Sequence, residues 1–138
     1  MKNSLMLFAA ALALLVTTAA NAQTIRVKAE IPFDFIVNRA TLPAGEYSVE
    51  AVDGNGEVLL ISGMNSHSKN LVIANSCRST KAAMDTKLIF HRYGNRYFLN
   101  QVWVAGNDAG QEIPSSRREK EVARDSSMQK VVLVAAKR

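Results

Sequence analysis

The sequence predicts an all-β fold, either a small antiparallel β-barrel or a β-sandwich, with about eight strands and one short basic C-terminal helix. Two observations carry this prediction. Apolar and polar residues alternate from Ile25 to Val37, which is the period of a strand with one buried face. Short β-branched and aromatic runs then recur between turn sequences rich in Gly, Asn and Asp. This spacing fits a barrel and a sandwich equally well, so both stay open.

Residues 1–22 have the features of a secretory signal peptide. Lys2 gives a positive start, Leu5–Val16 form an apolar run, and Ala20–Ala22 form a small-x-small cleavage site. Cleavage is expected between Ala22 and Gln23. The apolar run of ~12 residues is shorter than the ~20 needed to span a bilayer, which disfavours a retained anchor. We therefore expect an exported protein, periplasmic or extracellular, with one β-domain over residues 23–138 and no membrane-spanning segment after signal removal.

Charge and cysteine content limit the partners and the covalent structure. The chain has a net charge of +5, and loss of Lys2 leaves +4, all of it within residues 114–138. Such a segment can bind an envelope component or an anionic surface, or it can equally be a solvated face that keeps the protein soluble. Its interleaved acids argue against nucleic acid. The single Cys77 excludes an intramolecular disulfide. Because Cys77 follows the apolar run Leu71–Ala74, we expect it to be buried, with an intermolecular disulfide as the alternative.

The strands of the N-terminal half follow from alternation and turn residues. The first alternating stretch is too long for one strand of a small domain, and Pro32 lacks a backbone donor, so two strands with one shared inward face are expected there. Turns at Leu42–Gly45 and Asp53–Gly56 separate the strands that follow. The expected strands are Ile25–Ile31, Phe33–Asn38, Glu46–Ala51, Val58–Ser62 and Leu71–Ser76.

Residues 86–106 form the most regular and most aromatic stretch, and they predict a central hairpin. Gly94 and Asn95 fit a two-residue type II′ loop, because Gly tolerates the positive φ of its first position. The loop predicts three cross-strand pairs: Tyr93 with Arg96, Phe90 with Leu99, and Leu88 with Gln101. The face expected to be core carries Leu88, Phe90, Arg92, Tyr97, Leu99 and Trp103. The face expected to be half-solvated carries Ile89, His91, Tyr93, Arg96, Phe98 and Asn100.

The C-terminal part predicts a short strand at Gln111–Ile113, one helix and a last strand. Ser116 and Glu119 match the capping box that begins a helix, and this helix is expected to be exposed, basic and to end near Asp125. The last strand is expected over Met128–Ala136. Its residues from Val131 onward are all apolar, which predicts a position in the centre of a sheet or burial on both faces.

The side chains favour binding over catalysis. His67 and His91 are the only histidines, no nucleophile elbow occurs, and no spacing suits a metal, so we expect no enzyme, no cofactor and no metal site. Arginines beside aromatic residues can bind anions, although arginine stems also cover the open end of a core. The candidate binding surface consists of His91, Arg92, Tyr93, Arg96, Arg117 and Arg118.

Five motifs give the chain a family resemblance. They are Ala29–Phe35 (AEIPFDF), Leu42–Tyr47 (LPAGEY), Phe90–Gly94 (FHRYG), Arg96–Leu99 (RYFL) and Ser116–Glu119 (SRRE). Together they resemble a family of small exported acidobacterial proteins, which implies an envelope or secreted location and no particular activity. The leading hypothesis is a non-enzymatic exported β-domain with a structural or binding role in the cell envelope. The alternatives are a lipocalin-like barrel that carries a small apolar ligand and, with less support, a hydrolase that uses His91.

Overall fold

The computed structural model describes residues 25–135, of which 53% lie in strands and 6% in one helix. This confirms the all-β prediction with one short C-terminal helix, but the described residues contain eleven strands, more than the roughly eight that were expected. The predicted signal peptide, its cleavage site after Ala22, and Ala136 of the last predicted strand lie outside the described residues. The elements are β1 (Arg26–Ile31), β2 (Phe35–Val37), β3 (Ala40–Leu42), β4 (Gly45–Ala51), β5 (Val58–Gly63), β6 (Lys69–Ile73), β7 (Asn75–Arg78), β8 (Lys87–Tyr93), β9 (Arg96–Trp103), β10 (Ala109–Glu112), α1 (Arg117–Ala123) and β11 (Gln129–Val134).

The strands form two sheets, and the pairings among residues 25–135 do not close into a barrel. The first sheet has the order β1-β4-β5-β6, with every pair antiparallel. The second sheet has the order β11-β8-β9-β10-β7. In that sheet β2 runs parallel to β9 through Ile36 and Phe98, and β3 pairs with β2.

Both sheets contribute side chains to one hydrophobic core. The core residues of the first sheet are Val27, Ala29, Ile31, Tyr47, Val49, Leu59, Ile61 and Val72. Those of the second sheet are Phe35, Val37, Leu42, Leu88, Phe90, Leu99 and Val102. The sheets meet through an aromatic edge contact between Phe35 of the second sheet and Tyr47 of the first, whose ring centres lie 5.0 Å apart. Within the second sheet the Phe35 ring also lies 5.8 Å from the Phe90 ring. Such edge-to-face pairs add to the stabilisation that comes from buried area.

The chain crosses between the sheets three times, after β1, after β3 and after β6. Pro32 separates β1 from β2 as expected, and both strands direct apolar side chains into the shared core. The single predicted strand Leu71–Ser76 is wrong, because β6 and β7 belong to different sheets. Ala74 lies between them at 1% exposure, and its N–H donates to the carbonyl oxygen of Glu57 at 2.8 Å. An apolar run indicates burial, but it does not indicate which sheet each residue joins.

Two of the motifs that carry the family resemblance contact each other. Asp34 accepts a hydrogen bond from the backbone N–H of Ala44 at 2.9 Å. The Tyr47 hydroxyl donates to the carbonyl oxygen of Pro43 at 2.6 Å, and its ring packs on Phe35. Polar groups at the edge of a core are stable only when they are hydrogen-bonded in this way. These motifs therefore hold the β1–β4 region together.

The central hairpin has the predicted loop but a different register beyond it. Gly94 has φ +61°, and the Phe90–Leu99 pair is confirmed, as is the pair of Tyr93 with Arg96. A β-bulge then leaves Asn100 without an opposite residue, so Leu88 pairs with Val102 and the predicted Leu88–Gln101 pair is wrong.

The bulge also moves Trp103 to the other face of the hairpin. Beyond the bulge each β9 side chain changes face relative to the predicted alternation. Val102 therefore enters the core, fully buried, whereas Trp103 lies on the outer face of the second sheet. Its indole Nε1 donates to Oε1 of Gln101 at 2.9 Å. The prediction that Trp103 belongs to the core between the sheets is wrong.

Helix α1 covers part of that outer face. Val122 packs against Ile36, Tyr93 and Phe98, which form a second small cluster of buried residues. This hairpin face is therefore buried here, and the prediction of a half-solvated face is wrong. The predicted cap is present, since Oγ of Ser116 accepts a hydrogen bond from the Glu119 N–H at 3.2 Å.

The last strand lies at an edge of the second sheet. Within the described residues β11 pairs only with β8, and Val132 and Val134 are 48% and 57% exposed. Val131 and Leu133 pack partly on the core, so the strand is half-buried. The predicted central position is wrong because an unbroken apolar run does not distinguish an edge strand from a central one.

Candidate functional site

An open groove lies between the edge strand of the first sheet and the second sheet with its helix. Its volume is about 860 Å³, and it is bounded by β6, by the turn between β2 and β3, and by the start of α1. The polar wall consists of Asn38, Arg39, Asn70, Ser116, Arg117, Arg118 and Glu121. The apolar wall consists of Val37, Ala40 and Leu71. We call it the arginine groove after Arg39, Arg117 and Arg118.

Two local structures bring the three arginines together. Asn38 has φ +54°, a left-handed conformation that Asn tolerates better than most residues, and it forms the tight turn that presents Arg39. Ser116 caps α1, so Arg117 and Arg118 fall in the first turn of the helix. Arg39 and the helix meet only because β2 and the outer face covered by α1 belong to the same sheet.

The groove carries an excess of positive charge. Nε of Arg117 lies 3.6 Å from Oε1 of Glu121, but both side chains are exposed, so water screens this pair. Over residues 25–135 no acidic partner is recorded for Arg39 or Arg118. A guanidinium group binds carboxylate and phosphate through two parallel hydrogen bonds. The groove therefore has the chemistry of an anion-binding site.

A buried polar contact lies between the helix and the sheet beneath the groove. Nδ1 of His91 on β8 lies 3.4 Å from Oε1 of Glu119 on α1, although the two groups form no hydrogen bond. Glu119 is only 3% exposed, although the sequence predicted an exposed helix. Its carboxylate thus faces the sheet, while the backbone N–H of the same residue completes the cap.

Tyr93 lies beneath the same helix. Burial raises the pKa of its hydroxyl, and the negative charge of Glu119 raises it further. Tyr93 therefore stays neutral at physiological pH and contributes packing to the cluster under Val122.

The six residues predicted as a binding surface separate into four places. Arg117 and Arg118 line the arginine groove. Arg118 also borders a second groove of about 670 Å³, together with Arg96 and Tyr93. His91 lies under the helix. Arg92 turns to the opposite side of the hairpin and is described next.

Arg92 has a structural environment. Its Nε donates to the carbonyl oxygen of Gly94 at 2.7 Å, and its guanidinium carbon lies 5.4 Å from the centre of the Tyr97 ring. Tyr97 stacks on Phe33 at the margin of the core, with ring centres 3.8 Å apart. For Arg92 the structure agrees with the alternative interpretation, in which the arginine covers the open end of the core.

Cys77 is partly exposed, so the prediction of burial is wrong. It lies on β7, which within residues 25–135 is an edge strand of the second sheet and pairs only with β10. Burial of the part that is covered raises the pKa of the thiol, and the charge of Glu112 raises it further. A raised pKa disfavours the thiolate, which is the reactive form. No three His, Cys, Asp or Glu side chains within residues 25–135 come close enough to hold a metal ion.

Sequence reasoning missed Arg39 and Leu71 as site residues. Arg39 is a single basic residue in a polar turn, which is common on any protein surface. Leu71 was predicted to lie in a strand, but the sequence did not indicate which face of that strand it occupies. In the structure it is exposed, next to the buried Val72 on β6. Only the arrangement of the two sheets brings these residues beside α1, and no local pattern encodes it.

Comparison with known proteins found no relative that could help to interpret the groove. No family model, no curated protein and no solved structure matches the chain. The resemblance to the acidobacterial family therefore stays a prediction. In the described part of the chain no helix is long and apolar enough to cross a membrane.

Proposed function

We propose that this protein is a non-enzymatic, exported β-domain with a binding role in the cell envelope, and that the arginine groove binds an anionic group of its partner. The observation that carries the proposal is the charge of the groove. Arg39, Arg117 and Arg118 line it, while Glu121 is its single carboxylate. Guanidinium groups that lack acidic partners are the usual means of recognising carboxylate or phosphate.

The architecture that we propose for this domain is a β-sandwich. Two sheets contribute to one core, and each ends in edge strands, β1 and β6 in the first and β11 and β7 in the second. Sandwiches present such edges to solvent, whereas barrels eliminate them. The groove lies where the β6 edge meets the second sheet, and in a sandwich such a position stays accessible to a large partner.

The location rests on the N-terminal sequence. Lys2, the apolar run Leu5–Val16 and the cleavage site before Gln23 support export. Expression of the full chain in a bacterial host should yield a periplasmic protein whose N-terminal residue, measured by mass spectrometry, is Gln23 or its cyclised form. A protein that retains Met1 and stays in the cytoplasm would contradict export.

The anion site can be tested by titration of residues 23–138 with inorganic phosphate at low salt. We expect backbone amide shifts in the NMR spectrum that are largest around Arg39 and at Ser116 to Arg118. The double variant Arg39→Gln/Arg118→Gln should lose them. Arg26→Gln is the matched control, because Arg26 is exposed and lies near Glu50 on the first sheet, away from the groove. Equal shifts in all three proteins would contradict the proposal.

The lipocalin-like carrier is the main alternative. A carrier needs an enclosed interior, but Leu88 and Phe90 are fully buried in a packed core and Trp103 lies outside it. These positions support surface binding more than internal binding. Native mass spectrometry of residues 23–138 separates the two: a bare protein supports the surface site, and bound mass of a few hundred daltons that is lost on unfolding supports the carrier.

The hydrolase alternative gains one observation. Oε1 of Glu119 lies 3.4 Å from Nδ1 of His91, where a carboxylate would orient a catalytic imidazole, but no hydrogen bond joins the two groups. The same contact attaches α1 to the sheet, which is the role that we assign to it. His91→Gln should leave phosphate binding at the groove in place; loss of an ester-hydrolysing activity without loss of stability would favour the hydrolase.

A further inference from the structure

The outer face of the first sheet carries an exposed group of apolar side chains. Val52, Leu71 and Ile73 are 51%, 62% and 69% exposed. Leu71 and Ile73 alternate on β6 with Val72, and their β5 neighbours Val58 and Leu60 alternate with Leu59; both Val72 and Leu59 are buried in the core. Alternation along a strand therefore places the exposed residues on the side of the sheet that faces away from the core.

These side chains are neighbours across three strands. Ile73 pairs with Val58, Leu71 pairs with Leu60, and the Val52 N–H donates to the carbonyl oxygen of Val58 at 3.0 Å. Cross-strand partners share a face of the sheet, so the five residues form one surface. We call it the apolar patch. Contiguous exposed apolar surface of this kind marks an interaction site.

The apolar patch is continuous with the arginine groove. Leu71 belongs to the patch and also lines the groove beside Arg117 and Arg118. The patch therefore ends at three guanidinium groups on one side. Lys69, at the start of the same edge strand, is exposed and adds a further positive charge.

We propose that the apolar patch and the arginine groove together dock the protein on an anionic lipid bilayer. The inference rests on the proposed function, because it names the lipid phosphate as the anion that the groove binds. Apolar side chains enter the boundary between headgroups and acyl chains, and basic side chains beside them bind anionic headgroups. The long stems of arginines let their charged groups reach headgroup phosphates while the stems lie along apolar surface.

Charge favours a bilayer over a second copy of the chain at this surface. In a two-fold symmetric pair the same patch would meet itself across β6. Arg117, Arg118 and Lys69 of one copy would then approach the positive groups of the other, and like charges in an interface oppose association. An anionic surface instead neutralises them.

Vesicle flotation with residues 23–138 tests the proposal. The protein should float with phosphatidylcholine vesicles that contain phosphatidylglycerol, and about tenfold less with phosphatidylcholine alone. High salt should weaken the interaction. The variant Leu71→Ser/Ile73→Ser and the variant Arg39→Gln/Arg118→Gln should each reduce binding roughly tenfold.

The matched control is Val132→Ser/Val134→Ser. These valines are similarly exposed but lie on β11, at the edge of the second sheet. Their replacement should leave flotation unchanged. All substituted side chains are exposed, so circular dichroism should report a folded protein in every case.

The outcomes separate this inference from the proposed function. Phosphate binding at the groove without flotation would overturn the bilayer and leave the anion site standing. Flotation that depends on the patch but not on the arginines would overturn the bilayer docking, and the absence of phosphate binding at the groove would overturn the proposed function as well. A dimer in solution that Ile73→Ser converts to a monomer would assign the patch to a second copy and overturn the bilayer. Equal loss of binding in the β11 control would also overturn it.

Discussion

The outer faces of the two sheets differ in what covers them. On the second sheet Ile36, Tyr93 and Phe98 lie beneath α1, and all three are buried. On the first sheet the apolar patch has no such cover within residues 25–135, and Ile73 is 69% exposed. The two faces belong to one small domain with one core, so the difference does not come from overall size or composition.

Specific residues hold α1 on the outer face of the second sheet, which we call the covered face. We call the outer face of the first sheet, which carries the apolar patch, the open face. Val122 supplies the apolar contact, Ser116 begins the helix, and Glu119 approaches His91. No equivalent segment follows the strands of the first sheet, where β4, β5 and β6 are joined by short turns. The chain thus covers one outer face by itself and leaves the other exposed, and the binding surface that we propose lies on this exposed face and at its junction with the groove.

The largest expected effect comes from truncating one apolar side chain on each face. Phe98→Ala should reduce the free energy of unfolding by about 3–5 kcal/mol, because it leaves a cavity beneath α1. Leu71→Ala on the open face should change it by less than about 0.5 kcal/mol. Urea denaturation of both variants measures the difference. Similar losses would mean that something covers the apolar patch in the free protein.

The covered face should also reject a methyl group next to Trp103. A Cβ at Gly110 would lie 2.7–2.8 Å from three ring atoms of Trp103, too close for either to stay in place. Gly110→Ala should therefore cost about 1–3 kcal/mol and change the fluorescence of this single Trp. Gly54→Ala is the control, since no atom lies within 4 Å of its added Cβ. An unchanged emission spectrum in the Gly110 variant would contradict the position of Trp103 on the outer face.

Removal of the N-terminal cap of α1 should destabilise the helix over the covered face, with a smaller loss of free energy of unfolding. Ser116→Ala loses the hydrogen bond to the Glu119 N–H and should destabilise the protein by about 1 kcal/mol. The neighbouring Ser115→Ala removes an exposed hydroxyl outside the helix and should have almost no effect. Amide hydrogen exchange should accelerate over α1 and at Phe98 only in the Ser116 variant. Equal exchange in both variants would mean that the cap does not hold the helix.

The smallest expected effect comes from a change at Asp53, in the turn between β4 and β5 of the first sheet. Backbone N–H groups of Val58 and Glu57 donate to the Asp53 carboxylate, and these hydrogen bonds hold its pKa below the ordinary value. The folded form therefore favours the charged carboxylate. Its stabilising effect is fully present above the pKa of the unfolded chain and is lost as the pH falls through the lower folded pKa.

NMR titration of the Asp53 carboxyl carbon measures this pKa. A midpoint below that of an aspartate in an unstructured peptide is expected, and Asp53→Asn should weaken the acid dependence of stability. A midpoint at or above the ordinary value would show that the turn is not closed by this side chain.

Local features were predictable from the sequence, and features that depend on contact between distant segments were not. The alternation from Ile25 predicted β1 and β2, Gly94 predicted the hairpin loop, and Ser116 predicted the helix start, because each pattern is set by neighbouring residues. The bulge at Asn100 gave no local signal, yet it reversed the face of Trp103. In the same way, the burial of Glu119 results from contact with His91, which is 28 positions away in the numbering.

In the candidate site, too, residues defined by a local pattern were predictable, and residues brought in by distant segments were not. Arg117 and Arg118 were predictable because they follow a capping residue in a basic segment. Arg39 and Leu71 were not, because they reach the groove through the meeting of two sheets. Arg92, which the sequence grouped with them, lies apart from the groove because the hairpin directs it toward Tyr97.

The most direct test of the open face is residue-specific NMR of residues 23–138 in the presence of phosphatidylglycerol bicelles. The amides of β6, of Val52 to Val58, of Arg39 and of Ser116 to Arg118 should shift or broaden, while those of β11 and around Trp103 should stay unchanged. Changes confined to β11, or to the covered face beneath α1, would contradict the account and assign the binding surface to the second sheet.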